Sequence, residues 1–116
     1  MRIIAEYVKD RQPLPLLRLF IHWAPHRRQH TAVLQKYREE LVRACTDAKI
    51  KTPISNPIDL WVMFINPCSG DLGNAYLALE RALDANSLKG PSVLTDDSLV
   101  YGLTASKFYP QGESKR

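Results

Sequence analysis

Three aspartates near two predicted turns are the residues of this sequence most able to bind a divalent cation. Asp71 follows a predicted strand and opens the helix of the segment GDLGNAYLALERALD, while Asp96 and Asp97 precede a later predicted strand. Mg²⁺ prefers oxygen ligands from carboxylates, water and phosphate. Neighbouring or parallel strand ends would bring the three carboxylates to one edge, where like charges need a cation to neutralise them. The sequence therefore predicts a site for Mg²⁺, or alternatively Mn²⁺, with these three ligands.

Each of these aspartates also has an ordinary structural explanation. An aspartate at the first position of a helix accepts a hydrogen bond from a backbone amide and complements the helix dipole, which explains Asp71 taken alone. Asp96 and Asp97 can simply shape a turn. Only the combination of the three favours a metal site over capping and turn formation.

Positive charge is concentrated in the first third of the chain. The 116 residues carry a net charge of +4, and residues 11–38 contain six Arg or Lys residues and no Asp or Glu. A basic region together with a later acidic cluster suits phosphate attraction around a metal site. The alternative is a solvated positive face without a ligand.

The segment HWAPHRRQH is predicted to form a polar loop in which Arg27 and Arg28 can contact phosphates. Its histidines, His22, His26 and His30, are four residues apart, but Pro25 argues against one helix through all three, and no fourth zinc ligand is nearby. Two cysteines, Cys45 and Cys68, form neither a metal-binding motif nor a disulfide framework, so both are expected to be free thiols.

The hydrophobic pattern alternates between strands and helices. Strands are predicted over residues 14–23, 58–66 and 98–109, the last with an irregularity at Gly102, and helices over residues 31–48 and from Asp71 to about residue 86. Residues 2–8 fit either an edge strand or a helical turn. The run IDLWVMFI is apolar at nearly every position, which predicts a central strand covered on both faces. The expected fold class is α/β or α+β, with a small mixed sheet and two packed helices.

The length indicates one small domain, residues 1–110, followed by a disordered tail at residues 111–116. A domain of this size has little apolar surface to spare, so a homodimer is expected. Charged residues interrupt the N-terminal apolar run, and no stretch reaches the length that spans a bilayer. These features predict an intracellular, cytoplasmic protein that does not enter a membrane.

The order of elements and several short motifs resemble the RusA-type Holliday-junction resolvases, small dimeric Mg²⁺-dependent endodeoxyribonucleases. The shared features are FIHWAP after a strand, the Tyr37–Arg38 pair on a helix, a DLxN helix start and an LxDD turn before the final strand. The resemblance implies hydrolysis of branched DNA in recombination and repair. It also implies Asp71 and Asp97 as catalytic metal ligands, Asp96 as their companion, and Asn74 as the Asn of the motif and a DNA contact. Because NPCSG replaces a basic loop that precedes the motif in some relatives, DNA binding is expected to depend more on Arg27, Arg28, Lys36 and Arg38.

The chain departs from this family at two positions of the same site. Gly73 stands where the family has its second aspartate, and Leu77 stands where it has a functional lysine. One oxygen ligand and one positive charge near the phosphate are therefore lost, which predicts weakened hydrolysis. Two alternatives follow: a non-catalytic, structure-selective DNA-binding dimer, and a protein-interaction domain with no nucleic-acid role.

Overall fold

The computed structural model describes residues 1–66 and 71–108, which form four strands and two helices. The strands are β1 (Arg2–Val8), β2 (Leu16–His22), β3 (Ile58–Ile65) and β4 (Val100–Phe108), and the helices are α1 (Thr31–Asp47) and α2 (Leu72–Leu83). A mixed sheet packed with two helices confirms the predicted fold class. Residues 2–8, left open by the sequence, form a strand. The predicted disordered tail and Cys68 lie outside the described residues.

The sheet has the order β1-β2-β3-β4, with β1 antiparallel to β2 and the two other pairs parallel. The predicted interior position of β3 is confirmed, because β3 is hydrogen-bonded to a strand on either side. Both parallel connections contain a helix, as parallel strands require. We call the edge at which the parallel strands β2, β3 and β4 begin the amino edge, and the edge at which they end the carboxyl edge. Each helix therefore begins near the carboxyl edge of the sheet and returns to the amino edge.

Both helices cover the same face of the sheet. Alternate residues of β3, Ile58, Leu60, Val62 and Phe64, are buried against the helices together with apolar side chains of α1 and α2. The residues between them, including Trp61 and Met63, are only half-buried. The expectation that β3 is covered on both faces was therefore wrong, because no helix packs on the second face in the part of the chain that the structure describes.

This second face, which we call the open face, carries aromatic, aliphatic and charged side chains. The rings of Phe20 and Trp61 meet edge to face with centroids 5.4 Å apart, and the Arg18 guanidinium lies 4.9 Å from the Trp61 ring centroid. Ile4, which pairs with Phe20 across β1 and β2, is 46% exposed. The open face is therefore mixed in polarity and partly apolar.

The entry into β4 contains the irregularity that the sequence predicted at Gly102. A short 3₁₀ turn, Asp97–Leu99, leads into the strand, and the register with β3 then shifts so that Val100 faces Ile58 and Gly102 faces Asp59. A Cβ atom at Gly102 would lie 2.6 Å from Asp59 Oδ1, so a larger residue there would require the Asp59 carboxylate to move.

Neither described helix is long and apolar enough to cross a membrane.

Candidate nucleic-acid interface

Asp71 caps α2. Its backbone is extended, and its Oδ1 accepts a hydrogen bond of 2.9 Å from the Asn74 amide. This satisfies one of the free amides at the start of the helix and places a negative charge at the positive end of the dipole. The alternative explanation of Asp71 as a helix cap is thus seen in the structure, and Asn74 contributes its backbone amide to the same turn.

Asp96 and Asp97 share the turn before β4 but have opposite electrostatic environments. Asp96 Oδ1 accepts a hydrogen bond of 3.0 Å from the Ser98 amide, and hydrogen bonds to the Ser98 backbone and side chain lower the pKa of Asp96. The pKa of Asp97 is raised, first by burial, then by the hydrogen bond with Asp96 and by the negative charges of Asp84 and Asp96. Asp97 is the carboxyl group whose charge is least favoured in this turn.

The topology of the sheet separates Asp71 from Asp97. Because β3 and β4 are parallel, the end of β3 and the start of β4 lie at opposite edges of the sheet. Asp71 follows β3, Asp97 precedes β4, and the 12 residues of α2 extend about 18 Å between these edges. Asp97 accordingly lies near Asp84, the residue that follows α2 at the end opposite Asp71.

The three carboxylates of the predicted site are therefore not gathered at one edge of the sheet. Among residues 1–66 and 71–108, no group of three His, Cys, Asp or Glu side chains is arranged to hold a metal ion. The donor set of Asp71, Asp96 and Asp97 does not fit a single Mg²⁺ or Mn²⁺ ion, because the first of these lies across α2 from the other two. The expectation failed because the end of one strand and the start of the next parallel strand lie at opposite edges of a sheet, not at one shared edge.

A groove of about 450 Å³ runs along the exposed side of α2, and we call it the α2 groove. It is lined by Arg27, Leu77, Glu80, Arg81, Asp84 and Asp97. Burial and the charges of Glu80 and Asp97 raise the pKa of Tyr76 beside it. Sequence analysis missed Arg81 and Glu80 in this role, although positions 77, 80, 81 and 84 have the spacing that places residues on one side of a helix.

Arg27 and Arg28 lie on the loop between β2 and α1, where the sequence predicted phosphate contacts. Both are exposed, and neither takes part in a salt bridge with a described residue. The Arg28 amide donates to His26 Nδ1 at 3.2 Å, which helps to shape this loop. Lys36 is also exposed, one turn into α1. These three cations are positioned to meet an anionic partner.

Arg38 is not available to DNA, which corrects the prediction. Its side chain is 1% exposed, its Nε donates to the Pro91 carbonyl at 2.9 Å, and its Nη2 donates to the Gly90 carbonyl at 3.2 Å. Burial lowers the pKa of Arg38, and the negative charge of Asp84 opposes that shift. Arg38 holds the loop that follows α2 against α1.

Residues 11–38 contain no Asp or Glu, but in the folded protein two of their arginines pair with carboxylates from other segments. Arg11 pairs with Asp59 at 2.6 Å, and Arg18 pairs with Glu6 at 3.0 Å. Together with the burial of Arg38, this leaves only Arg27, Arg28 and Lys36 of the six as exposed, unpaired cations among the described residues.

The chain matches no protein-family model, no curated protein and no solved structure. The resemblance to RusA-type resolvases therefore rests on the short motifs and the order of elements.

Proposed function

We propose that this protein binds branched DNA as a homodimer and does not hydrolyse it efficiently. The observation that carries the proposal is the exposed loop with Arg27 and Arg28, whose two guanidinium groups have no salt-bridge partner among the described residues. Guanidinium groups bind phosphate oxygens in a bidentate manner and remain charged at all physiological pH values. Such contacts orient a protein on DNA without reading its sequence.

Binding without efficient hydrolysis is favoured by the separation of the aspartates. A metal-dependent nuclease holds its ion with several oxygen ligands beside the scissile phosphate. Here Asp71 caps α2 after the end of β3, whereas Asp97 precedes the start of the parallel strand β4.

A homodimer suits both the open face and the substrate. The open face exposes part of Ile4, Phe20 and Trp61, and the predicted two-fold assembly would match the symmetry of a four-way junction. An intracellular location belongs to the same proposal.

A binding assay tests this function. The parent protein is titrated with four-way, duplex and single-stranded DNA, with and without Mg²⁺ or Mn²⁺, alongside the variant Arg27→Gln/Arg28→Gln. The matched control, Arg43→Gln/Lys89→Gln, removes the same charge from exposed positions. We expect the four-way junction to bind most tightly and the loop variant alone to bind at least tenfold more weakly. No DNA binding by the parent would refute the proposal and favour the protein-interaction domain.

The second candidate function is Mg²⁺-dependent hydrolysis of branched DNA, favoured by the two carboxylates, Asp84 and Asp97, that line the α2 groove together with Arg27. Robust cleavage by the parent that Asp97→Asn abolishes would establish it. Gly73→Asp provides a further test, since a Cβ at Gly73 would come no closer than 3.4 Å to Asp71 Oδ1 and its backbone is not left-handed. The variant would restore a second carboxylate beside Asp71 without steric conflict.

A further inference from the structure

A basic groove, separate from the α2 groove, lies at the C-terminal end of α1. It has a volume of about 660 Å³, and its lining includes Tyr7, Lys9, Lys49, Lys51 and Asn56. We call it the lysine groove. Lys9 follows β1, whereas Lys49 and Lys51 follow α1, so two distant parts of the sequence contribute its charge.

The turn that reverses the chain after α1 sets the backbone positions of Lys49 and Lys51. Lys49 adopts a left-handed backbone with φ of 61°, its amide donates to the Thr46 carbonyl at 2.9 Å, and the Ile50 amide donates to the Cys45 carbonyl at 2.8 Å. Ile50 is buried between its two exposed neighbours. Burial of Ile50 therefore directs Lys49 and Lys51 toward solvent.

The positive charges of Lys9, Lys49 and Lys51 are not balanced by salt bridges with the described carboxylates. None forms a salt bridge with a described residue. Asp10 and Asp47 are close in sequence, but neither lines the groove. A helix C-terminus favours nearby cations, which accounts for Lys49 but not for Lys9 on a different segment. Like charges that share a groove are unfavourable until an anion neutralises them.

We infer that the lysine groove binds the sugar-phosphate backbone of duplex DNA, as a contact in addition to the Arg27 and Arg28 loop. This inference rests on the proposed DNA binding. The groove is open, and its cations are lysine ammonium groups on flexible side chains. The planar guanidinium group of arginine binds one phosphate in a bidentate manner, whereas flexible ammonium groups suit the repeated charges of a polymer.

The position of the groove supports one continuous duplex as the ligand. The Arg27 and Arg28 loop precedes α1 and the lysine groove follows it, so the 17 residues of the helix separate them by about 25 Å. That distance corresponds to about seven base pairs of B-DNA at about 3.4 Å each. A single arm of a junction is long enough to reach both ends of α1.

The test compares Lys9→Gln/Lys49→Gln/Lys51→Gln with Arg2→Gln/Lys89→Gln/Lys107→Gln, which removes the same charge elsewhere. We expect the first variant to bind a sixteen-base-pair duplex at least tenfold more weakly. We also expect its slope of log K against log salt to fall by about 2 to 3, since each phosphate contact contributes about 0.9. The control should change affinity by less than threefold. Equal affinities and slopes for the two variants would overturn the inference.

Lysine acetylation footprinting of the parent tests the same contact without a substitution. Bound duplex should protect Lys9, Lys49 and Lys51 at least fivefold, and Lys89 much less. Binding that depends on Arg27 and Arg28 while the three lysines stay fully reactive would refute the lysine groove and leave the proposed function standing. A parent protein that binds no DNA would refute both the proposed function and the lysine groove as a DNA contact. If anionic vesicles protect the lysines and DNA does not, the groove binds a membrane surface instead.

Discussion

Arg38 and the Arg27–Arg28 pair lie about ten residues apart in sequence, yet the fold uses them in opposite ways. The Arg38 guanidinium is buried and donates to two backbone carbonyls of the loop after α2, whereas Arg27 and Arg28 are exposed without a salt bridge among the described residues. The same contrast separates Asp71, which caps a helix, from Asp97, which is crowded by other carboxyl groups. Residue type alone therefore does not distinguish a side chain that stabilises the fold from one that is free to bind a partner.

The largest loss of stability that distinguishes buried from exposed arginines is expected for a substitution of Arg38. Arg38→Met keeps much of the packing volume but removes both hydrogen bonds to Gly90 and Pro91, which should lower the free energy of unfolding by about 2 kcal/mol. Arg28→Met, the matched exposed substitution, should change it by less than about 0.5 kcal/mol. Urea denaturation measures both values, and equal losses would break the contrast.

A smaller loss of stability is expected at Asp71. Asp71→Ala removes the cap and should lower the free energy of unfolding by about 1 kcal/mol, while Asp71→Asn retains a capping oxygen and should stay close to the parent. Thermal unfolding with and without millimolar Mg²⁺ distinguishes a cap from a ligand. If Mg²⁺ stabilises the parent and Asp71→Asn loses that stabilisation, Asp71 is a metal ligand after all.

The smallest effect is a pH dependence at Asp97. Its raised pKa means that the folded state holds this proton more tightly than the unfolded state. Its contribution to stability is therefore present at low pH and is lost as pH rises through the folded pKa. Asp97→Asn should unfold at a slightly higher temperature than the parent at neutral pH, and this gain should shrink in acid. Asp10→Asn controls for the loss of one surface charge, and the same pH-dependent gain in both variants would refute the prediction.

Much of the fold could be predicted because periodicity is local. The helical spacing of Leu34, Tyr37 and Leu41 predicted α1, and the continuous apolar run predicted β3 inside the sheet. The same run led to the wrong prediction that both faces of β3 are covered, because Trp61 and Met63 are as apolar as core residues but lie on the open face. A run of apolar residues indicates neighbouring strands but not what covers the second face.

The candidate site was less predictable because it depends on long-range geometry. Asp71 and Asp97 are kept apart by the parallel direction of β4 relative to β3, which the strand-helix-strand order indicates only once the helix is placed between the two strands. The burial of Arg38 had a weak signal, since position 38 is four residues after Leu34 and three before Leu41 on the buried side of α1. Its partners, the Gly90 and Pro91 carbonyls, are about fifty residues away and could not be inferred.

The parallel pairing of β4 with β3 also affects how the chain can fold during its synthesis. β1 and β2 pair across a short connection, but β3 gains its second neighbour only when residues about forty positions later have emerged. Until then one edge of β3 presents unpaired backbone groups that a strand of another chain can pair with. A chain that ends before Val100 should therefore be prone to aggregation through β3, and completion of β4 pairs this edge and makes β4 the edge strand instead.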